Sequence, residues 1–222
     1  MSEILFLSNV RLSFPHLVEP QRTVSEATGK ERIAYNAEFL MPQDSDAFKG
    51  FIKAYQAIAV AKWAEHAGNV MQMIQNDRKL RCYGMGTEKV NKKTFKPYDG
   101  YDGNMYISAV RDTPPQIIQG DGTAIDPNNS MAYQQLTRKM YGGCKVNAAI
   151  KPWPQDNKYG RAIRCELVAI QFAGDDTPFG EGAVDATPLF GAVTTAAPGM
   201  FGAVAPAMPA APFGMPSFLM GQ

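Results

Sequence analysis

Basic and aromatic residues interleave most densely over Arg78, Lys79, Arg81, Tyr83, Lys89, Lys92, Lys93, Phe95, Lys96, Tyr98, Tyr101 and Tyr106. An unpaired nucleic acid strand requires that pairing. Cationic side chains neutralise phosphates and release counterions, and aromatic faces stack on bases that no complementary strand hides, at about 1–3 kcal/mol per base. The stretch Lys151, Trp153, Lys158, Tyr159, Arg161 and Arg164 repeats the combination, and Arg138, Lys139 and Tyr141 form a smaller third instance. The candidate charges are therefore Lys92, Lys93, Lys96, Arg138, Lys139, Lys158 and Arg161, and the candidate stacking platforms are Phe95, Tyr98, Tyr101, Trp153 and Tyr159. A structural role competes at individual positions: Tyr83 and Tyr106 also suit a core, and Trp153 lies between Pro152 and Pro154, where it also suits packing on the body.

Catalytic patterns are missing. The chain has no Walker loop, no G-x-S-x-G and no H-E-x-x-H, and its two histidines are His16 and His66. Asp99-Gly100 and Asp102-Gly103 read as two turns rather than a cation site. The reading is a non-catalytic protein with no cofactor and no metal.

The charge distribution points the same way. All 22 Lys and Arg residues lie between Arg11 and Arg164, so residues 1–166 carry 22 bases against 17 acids, a formal +5. Residues 167–222 carry four acids, Asp175, Asp176, Glu181 and Asp185, and no base. A basic body with a base-free extension suits a polyanion ligand and an appendage that it repels. Cys82, Cys144 and Cys165 are odd in number and form no C-x-x-C pair, which predicts reduced, buried thiols. The apolar run of the first residues breaks at Ser8-Asn9 and has no basic leader, so neither a signal segment nor a membrane span is expected.

The elements that must position these residues follow from periodicity. Alternation predicts strands over 4–14, stopped by Pro15, and over 33–41, closed by Pro42. A connecting loop is expected over 21–30. Phe48, Phe51, Ile52, Tyr55, Ile58 and Ala59 recur at three and four, which predicts a helix over 47–66 capped by Asp44 or Ser45, with a short second helix over 70–75. Further strands are expected over 80–85, 105–111, 116–119, 144–153 and 161–172. Residues 87–103 show no apolar period and read as a long basic flap with Phe95, Tyr98 and Tyr101 exposed. Two strands, a helix and several strands predict a mainly β fold: an OB-type antiparallel barrel over 1–173 with one main helix and a short second one.

Residues 174–222 are rich in Ala, Gly, Pro, Met and Phe, cannot form a core, and read as a disordered tail with an acidic start. Phe179-Gly180, Phe190-Gly191, Phe201-Gly202 and Phe213-Gly214 recur at spacings of 11, 11 and 12. Such spacing suits weak multivalent contacts, and duplication within a low-complexity segment explains it equally well.

An ordered set of segments carries a resemblance over about residues 4–173: Leu7-Ser8-Asn9-Val10-Arg11-Leu12-Ser13-Phe14, Tyr35-Asn36-Ala37-Glu38-Phe39-Leu40-Met41-Pro42, Tyr141-Gly142-Gly143-Cys144-Lys145-Val146-Asn147 and Asn157-Lys158-Tyr159-Gly160-Arg161. The chain resembles the Enc34-like family of bacteriophage single-stranded DNA-binding proteins. The resemblance implies an OB fold related to the phage T7 single-stranded DNA-binding protein, and a role in protecting and organising exposed strands in phage replication and recombination. It also implies the cytoplasm of an infected bacterium as the location. Replication proteins such as a polymerase or helicase are implied partners through the tail, and self-association on DNA is a further expectation. Acidic tails in that family commonly end on an aromatic residue, whereas here the acids lie inboard and the chain ends Phe218-Leu219-Met220-Gly221-Gln222. The rival reading is a virion assembly protein whose Phe-Gly tail drives self-association.

Overall fold

The computed structural model describes residues 3–24, 29, 31–126 and 129–180; the remainder of the tail, with the Phe-Gly units at Phe190, Phe201 and Phe213, lies outside them. The strands are β1 (Leu5–Val24), β2 (Glu31–Met41), β3 (Tyr83–Met85), β4 (Met105–Arg111), β5 (Gln116–Ile118), β6 (Ala124–Ile125), β7 (Lys145–Asn157) and β8 (Gly160–Gly174). The helices are α1 (Asp46–Trp63), α2 (Ala67–Asn76) and α3 (Ser130–Thr137). The strands form one sheet in the order β3-β4-β2-β1-β7-β8-β5-β6. Its pairs are antiparallel except β5 with β8, which is parallel.

The sheet curls into an open, OB-like barrel. The side chain of Arg111 on β4 reaches β8, donating from Nη1 to Val168 O at 3.3 Å and lying 3.8 Å from the Glu166 carboxylate. Inside the curl, Leu7, Val10 and Leu12 of β1, Ala37 and Phe39 of β2, Ile107 and Ala109 of β4, and Val146, Ala148 and Ile150 of β7 alternate into one core.

Helix α1 starts where Ser45 Oγ accepts from Phe48 N and buries Phe48, Phe51, Tyr55, Ala59 and Trp63, a three-to-four spacing that lays one face on the sheet. Each large ring so buried contributes about 1.5–3 kcal/mol. Tyr83 joins that face, its ring 5.0 Å from Tyr55 and 5.6 Å from Phe51, so Tyr83 belongs to the core rather than to a binding surface. At the other end, Trp63 Nε1 donates to Asp156 Oδ2 at 3.0 Å and ties α1 to the β7–β8 hairpin.

Three local expectations are corrected. Strand β1 does not stop at Pro15 but runs to Val24, absorbing Pro15 and Pro20 at register shifts between Ser13 and His16 and between His16 and Gln21. At such shifts the missing proline N–H costs no ladder bond. Residues 21–24, expected in a loop, are therefore strand. Phe14, expected to continue the buried alternation of Val10 and Leu12, has φ 45° at the first shift and turns outward, 43% exposed. Helix α3 was unforeseen. It is one face deep, with Asn129 capping it and Tyr133 and Thr137 buried, the Tyr133 hydroxyl 3.0 Å from Leu17 O.

Cys82, Cys144 and Cys165 are free and buried. Burial pushes the Cys144 thiol up to about 11.

Candidate nucleic-acid interface

The face of β1, β2 and β4 turned away from the main core carries the candidate interface. On a pleated strand, alternate residues leave the core, so Glu38 and Asn36 of β2 face outward beside Ser108 and Val110, their register partners on β4. Three cavities follow one another over this face. The first, about 680 Å³, is lined by Phe14, Lys96, Tyr98 and Phe179. The second, about 460 Å³, shares Phe14 and Tyr98 with it and adds His16, Gln21, Arg78 and Lys92. The third, about 480 Å³, is lined by Arg32, Arg81, Ser108, Trp153, Gln155 and Arg164. Asn36 and Glu38 line the second and their partners Val110 and Ser108 the third, so these two cavities flank the β2–β4 ladder.

One end of the face is built by residues 86–104. Gly86 passes against this segment's own return, where a Cβ would lie 1.7 Å from Tyr101 O, so only glycine fits. Val90 and Pro97 form a bridge, and Asn91 N donates to Lys96 O while Phe95 N donates to Asn91 O, closing a small arm. Its tip carries Lys92, Lys93 and Lys96 exposed, and Phe95 is 83% exposed at φ 56°.

The arm is fastened to the sheet by buried polar groups. Tyr101, 0% exposed, donates its hydroxyl to Glu38 and lies 3.1 Å from Ser13 Oγ; Lys89 Nζ pairs with the other Glu38 oxygen and sits 4.6 Å over the Tyr106 ring. Burial, then the adjacent Glu38 charge, pushes the Tyr101 phenol far up and keeps it a neutral donor. Leu40, Tyr101 and Tyr106 form a small second core beneath the arm, with Tyr98 and Phe179 against it.

The other end is the β7–β8 hairpin. Trp153 pairs in register with Arg164 and is 39% exposed. Arg164 is aimed by two bonds, from Nη1 to Lys79 O at 2.7 Å and from Nε to Gln155 Oε1 at 3.2 Å. Arg81 is held by Glu88 at 2.7 Å, while its buried Nε has no hydrogen-bond partner. The arrangement offers an aromatic pair, Phe14 and Tyr98 with ring centroids 5.0 Å apart and edge-to-face, at one end and Trp153 at the other, with cations lining the cavities between. Among the described residues no group of three or more His, Cys, Asp or Glu is placed to hold a metal ion.

The family model described as the Enterobacter phage Enc34 ssDNA-binding protein matches residues 3–199. The chain belongs to the Enc34 single-stranded DNA-binding protein family. A relative, protein p50 of Acyrthosiphon pisum secondary endosymbiont phage 1, is 32% identical over 180 residues, 80% of this chain and 87% of the relative. The solved structure of the bacteriophage Enc34 single-stranded DNA-binding protein in complex with ssDNA matches with a TM-score of 0.57 at 28% identity, over 80% of this chain and 89% of that one. A second solved structure of the bacteriophage Enc34 single-stranded DNA-binding protein matches with a TM-score of 0.57 at 27% identity, over 84% of this chain and 89% of that one.

Within this Enc34-family body the sequence-predicted residues divide. Lys92, Lys96 and Tyr98 line the connected cavities, and Lys93 and Phe95 stand on the arm above them. Trp153 lines the third cavity. Lys158 and Tyr159 form the hairpin tip just past Asn157, which is four residue steps and so about 13 Å along the strand from Trp153, and Arg161 pairs with Asp156, three steps from Trp153. Tyr159 is 67% exposed, Lys158 Nζ is 5.2 Å from its ring centre, and Arg161 faces Asp156 at 3.5 Å. Arg138 lines a separate cavity of about 390 Å³, which shares His16 with the second; Lys139 is exposed next to it in sequence.

Tyr101 is the exception: its buried ring offers no face to a base, and its place is to fasten the arm. Sequence reasoning passed over Phe14, Arg32 and Asn36 as site residues. Phe14 was hidden by its apparent place in the alternation, and Arg32 and Asn36 come from a strand with no aromatic run to flag it. Arg81 and Arg164 were inside the dense basic-aromatic stretches but were not singled out.

Proposed function

We propose that this chain binds single-stranded DNA in a sequence-tolerant way, protecting and organising exposed strands during phage replication and recombination in the host cytoplasm. The observation that carries the proposal is the run of neighbouring cavities from Phe14 and Tyr98 to Trp153. Phe14 and Tyr98 form one aromatic pair, Trp153 stands at the far end, and the cations come from the arm, from Arg78 and Arg81 and from the hairpin. Phosphates track the cations while successive bases stack on the rings; no side chain reads a base edge in this scheme, hence the sequence tolerance. Family membership supports the same reading, since the Enc34 protein named above was solved with ssDNA.

Residues 1–173 are the binding module in this proposal. The arm lysines, Lys158 and Arg161 supply mobile charge, Phe95 and Tyr159 add outlying stacking surfaces, and Arg138 and Lys139 extend the charge past His16. No chemical step is assigned to it. Replication proteins bind through residues beyond the module.

Fluorescence anisotropy of labelled oligo-dT and of a matched duplex across a salt series tests the reading. The single strand is expected to bind more tightly, with a log–log salt slope near about −0.7 per phosphate contacted. Equal affinity for both, or none for either, would overturn it.

A further inference from the structure

Residues 175–180 were grouped with the tail on composition, yet they lie against the body in a defined way. Arg11 is the centre of the seat. Its Nε donates to Gly143 O, its Nη2 donates to Thr177 O at 2.6 Å, and its guanidinium stands 4.6 Å over the Phe179 ring. Asp176 lies 3.4 Å from Arg11 and 3.5 Å from Lys145. Phe179 N donates to Gly142 O at 2.8 Å, and Gly180 N donates to Asp99 Oδ2 at 2.8 Å.

Two glycines make the room. A Cβ on Gly100 would lie 2.2 Å from the Phe179 ring, and one on Gly143 would lie 2.4 Å from Thr177 O. Gly180 itself has φ 90°, so the seat requires an aromatic ring followed by a residue that tolerates positive φ. In short, the seat reads Phe-Gly.

The chain carries that dipeptide three more times, and one copy repeats more than the dipeptide. Asp175-Asp176-Thr177-Pro178-Phe179-Gly180 is echoed by Asp185-Ala186-Thr187-Pro188-Leu189-Phe190-Gly191, with one residue inserted before the ring and Ala186 in place of Asp176. The echo keeps the ring and the glycine but loses the carboxylate that meets Arg11 and Lys145, so it suits the same seat with lower affinity.

We propose that this seat is a Phe-Gly socket through which copies of the chain join. The segment 185–191 of a second copy takes the place of Phe179-Gly180, and the Phe201 and Phe213 units add weaker alternatives. Weak, exchangeable contacts of this kind become effective when many chains lie side by side, because the neighbour's tail is then at high local concentration. The inference goes beyond single-strand binding and does not need it to be true.

The test uses full-length protein without DNA and a fluorescent peptide of residues 183–194. F179A, whose socket lacks its resident ring, is expected to bind the peptide at least tenfold more tightly than the unsubstituted protein, and the F190A peptide is expected to lose that binding. In sedimentation velocity, self-association of the full-length chain is expected to fall in the F190A/F201A/F213A variant and to rise in F179A. G100A in the F179A background fills the ring's place and is expected to abolish peptide binding. D99A, which removes the acceptor of the glycine N–H, is the second variant if G100A fails to fold, with at least a threefold loss expected. No peptide binding by F179A, equal binding of the F190A peptide, or unchanged sedimentation of the triple variant would each overturn the inference. Oligo-dT anisotropy on the unsubstituted protein separates the two readings, since intact DNA binding there together with no peptide capture by F179A removes only the socket.

Discussion

Replacing Tyr101 with Phe removes one oxygen and leaves the ring, so it tests the fastening of the arm without opening a cavity. The lost hydroxyl donates to Glu38 and touches Ser13 Oγ at 3.1 Å, in a place with no solvent to substitute for it. A hydrogen bond to a charged group contributes about 1.5–3 kcal/mol, and here the partner left behind is a nearly buried carboxylate oxygen, which favours the upper part of that range. For a body of this size about 1 kcal/mol moves Tm by roughly 2–4 °C, so Y101F should melt about 3–12 °C lower by circular dichroism. The loss should be felt first in the arm. Trypsin cleavage after Lys92 or Lys93 should speed up at least threefold well below the melting range, and oligo-dT affinity should fall because the arm cations lose their position. E38Q, which keeps the shape but removes the charge that Lys89 and Tyr101 share, should couple to Y101F in a double-mutant cycle by more than about 0.5 kcal/mol. A Tm within 1 °C of the parent together with unchanged tryptic cleavage would refute the claim that this network holds the arm.

Trp153→Ala should weaken oligo-dT binding by about 1–3 kcal/mol with the fold intact, whereas a loss under about 0.3 kcal/mol would remove Trp153 from the interface. Changing Lys92, Lys93 and Lys96 together to Ala should flatten the log–log salt slope by up to about 2, at about 0.7 per phosphate contact; an unchanged slope would place the arm off the strand. The Thr177 N–H, and then the Arg11 and Lys145 charges, hold the Asp176 carboxyl below its ordinary value of 3.8. Its contribution to seating residues 175–180 is therefore complete above the unfolded-state value and disappears as pH falls through the depressed folded value. The Thr177 amide resonance should accordingly titrate with a midpoint below 3.8, and a midpoint at or above it would contradict the contact.

Much of the fold was legible because local chemistry and tertiary need agree. The spacing of Phe48, Phe51, Tyr55 and Ala59 specifies a helix with one buried face wherever that helix lies, and the alternation in β7 specifies which residues face inward, whereas in β2 Ile33 is 45% exposed and residues 37–41 are all buried. The charge division and the basic-aromatic stretches are properties of composition, so the class of ligand could be argued without coordinates. Where the reading failed, a contact distant in sequence overrode the local signal. Register shifts carry β1 through two prolines, and a positive φ turns Phe14 from core to surface. The ring of Tyr101 is buried where Glu38, 63 residues away in sequence, accepts a hydrogen bond from its hydroxyl.

By itself, then, the sequence determined the alternation of the strands, the amphipathic helix, the separation of charge and the supply of rings and cations, because each depends on residue type and on spacings of a few residues. Only the tertiary structure decided which rings present a face and which serve as supports, that the first two cavities share Phe14 and Tyr98 while the second and third flank the β2–β4 ladder, and that Phe179-Gly180 has a seat made by Arg11, Gly100 and Gly143. These follow from pairing register and from the closure of long loops, whose free energies come from partners scores of residues apart and leave no period in the chain.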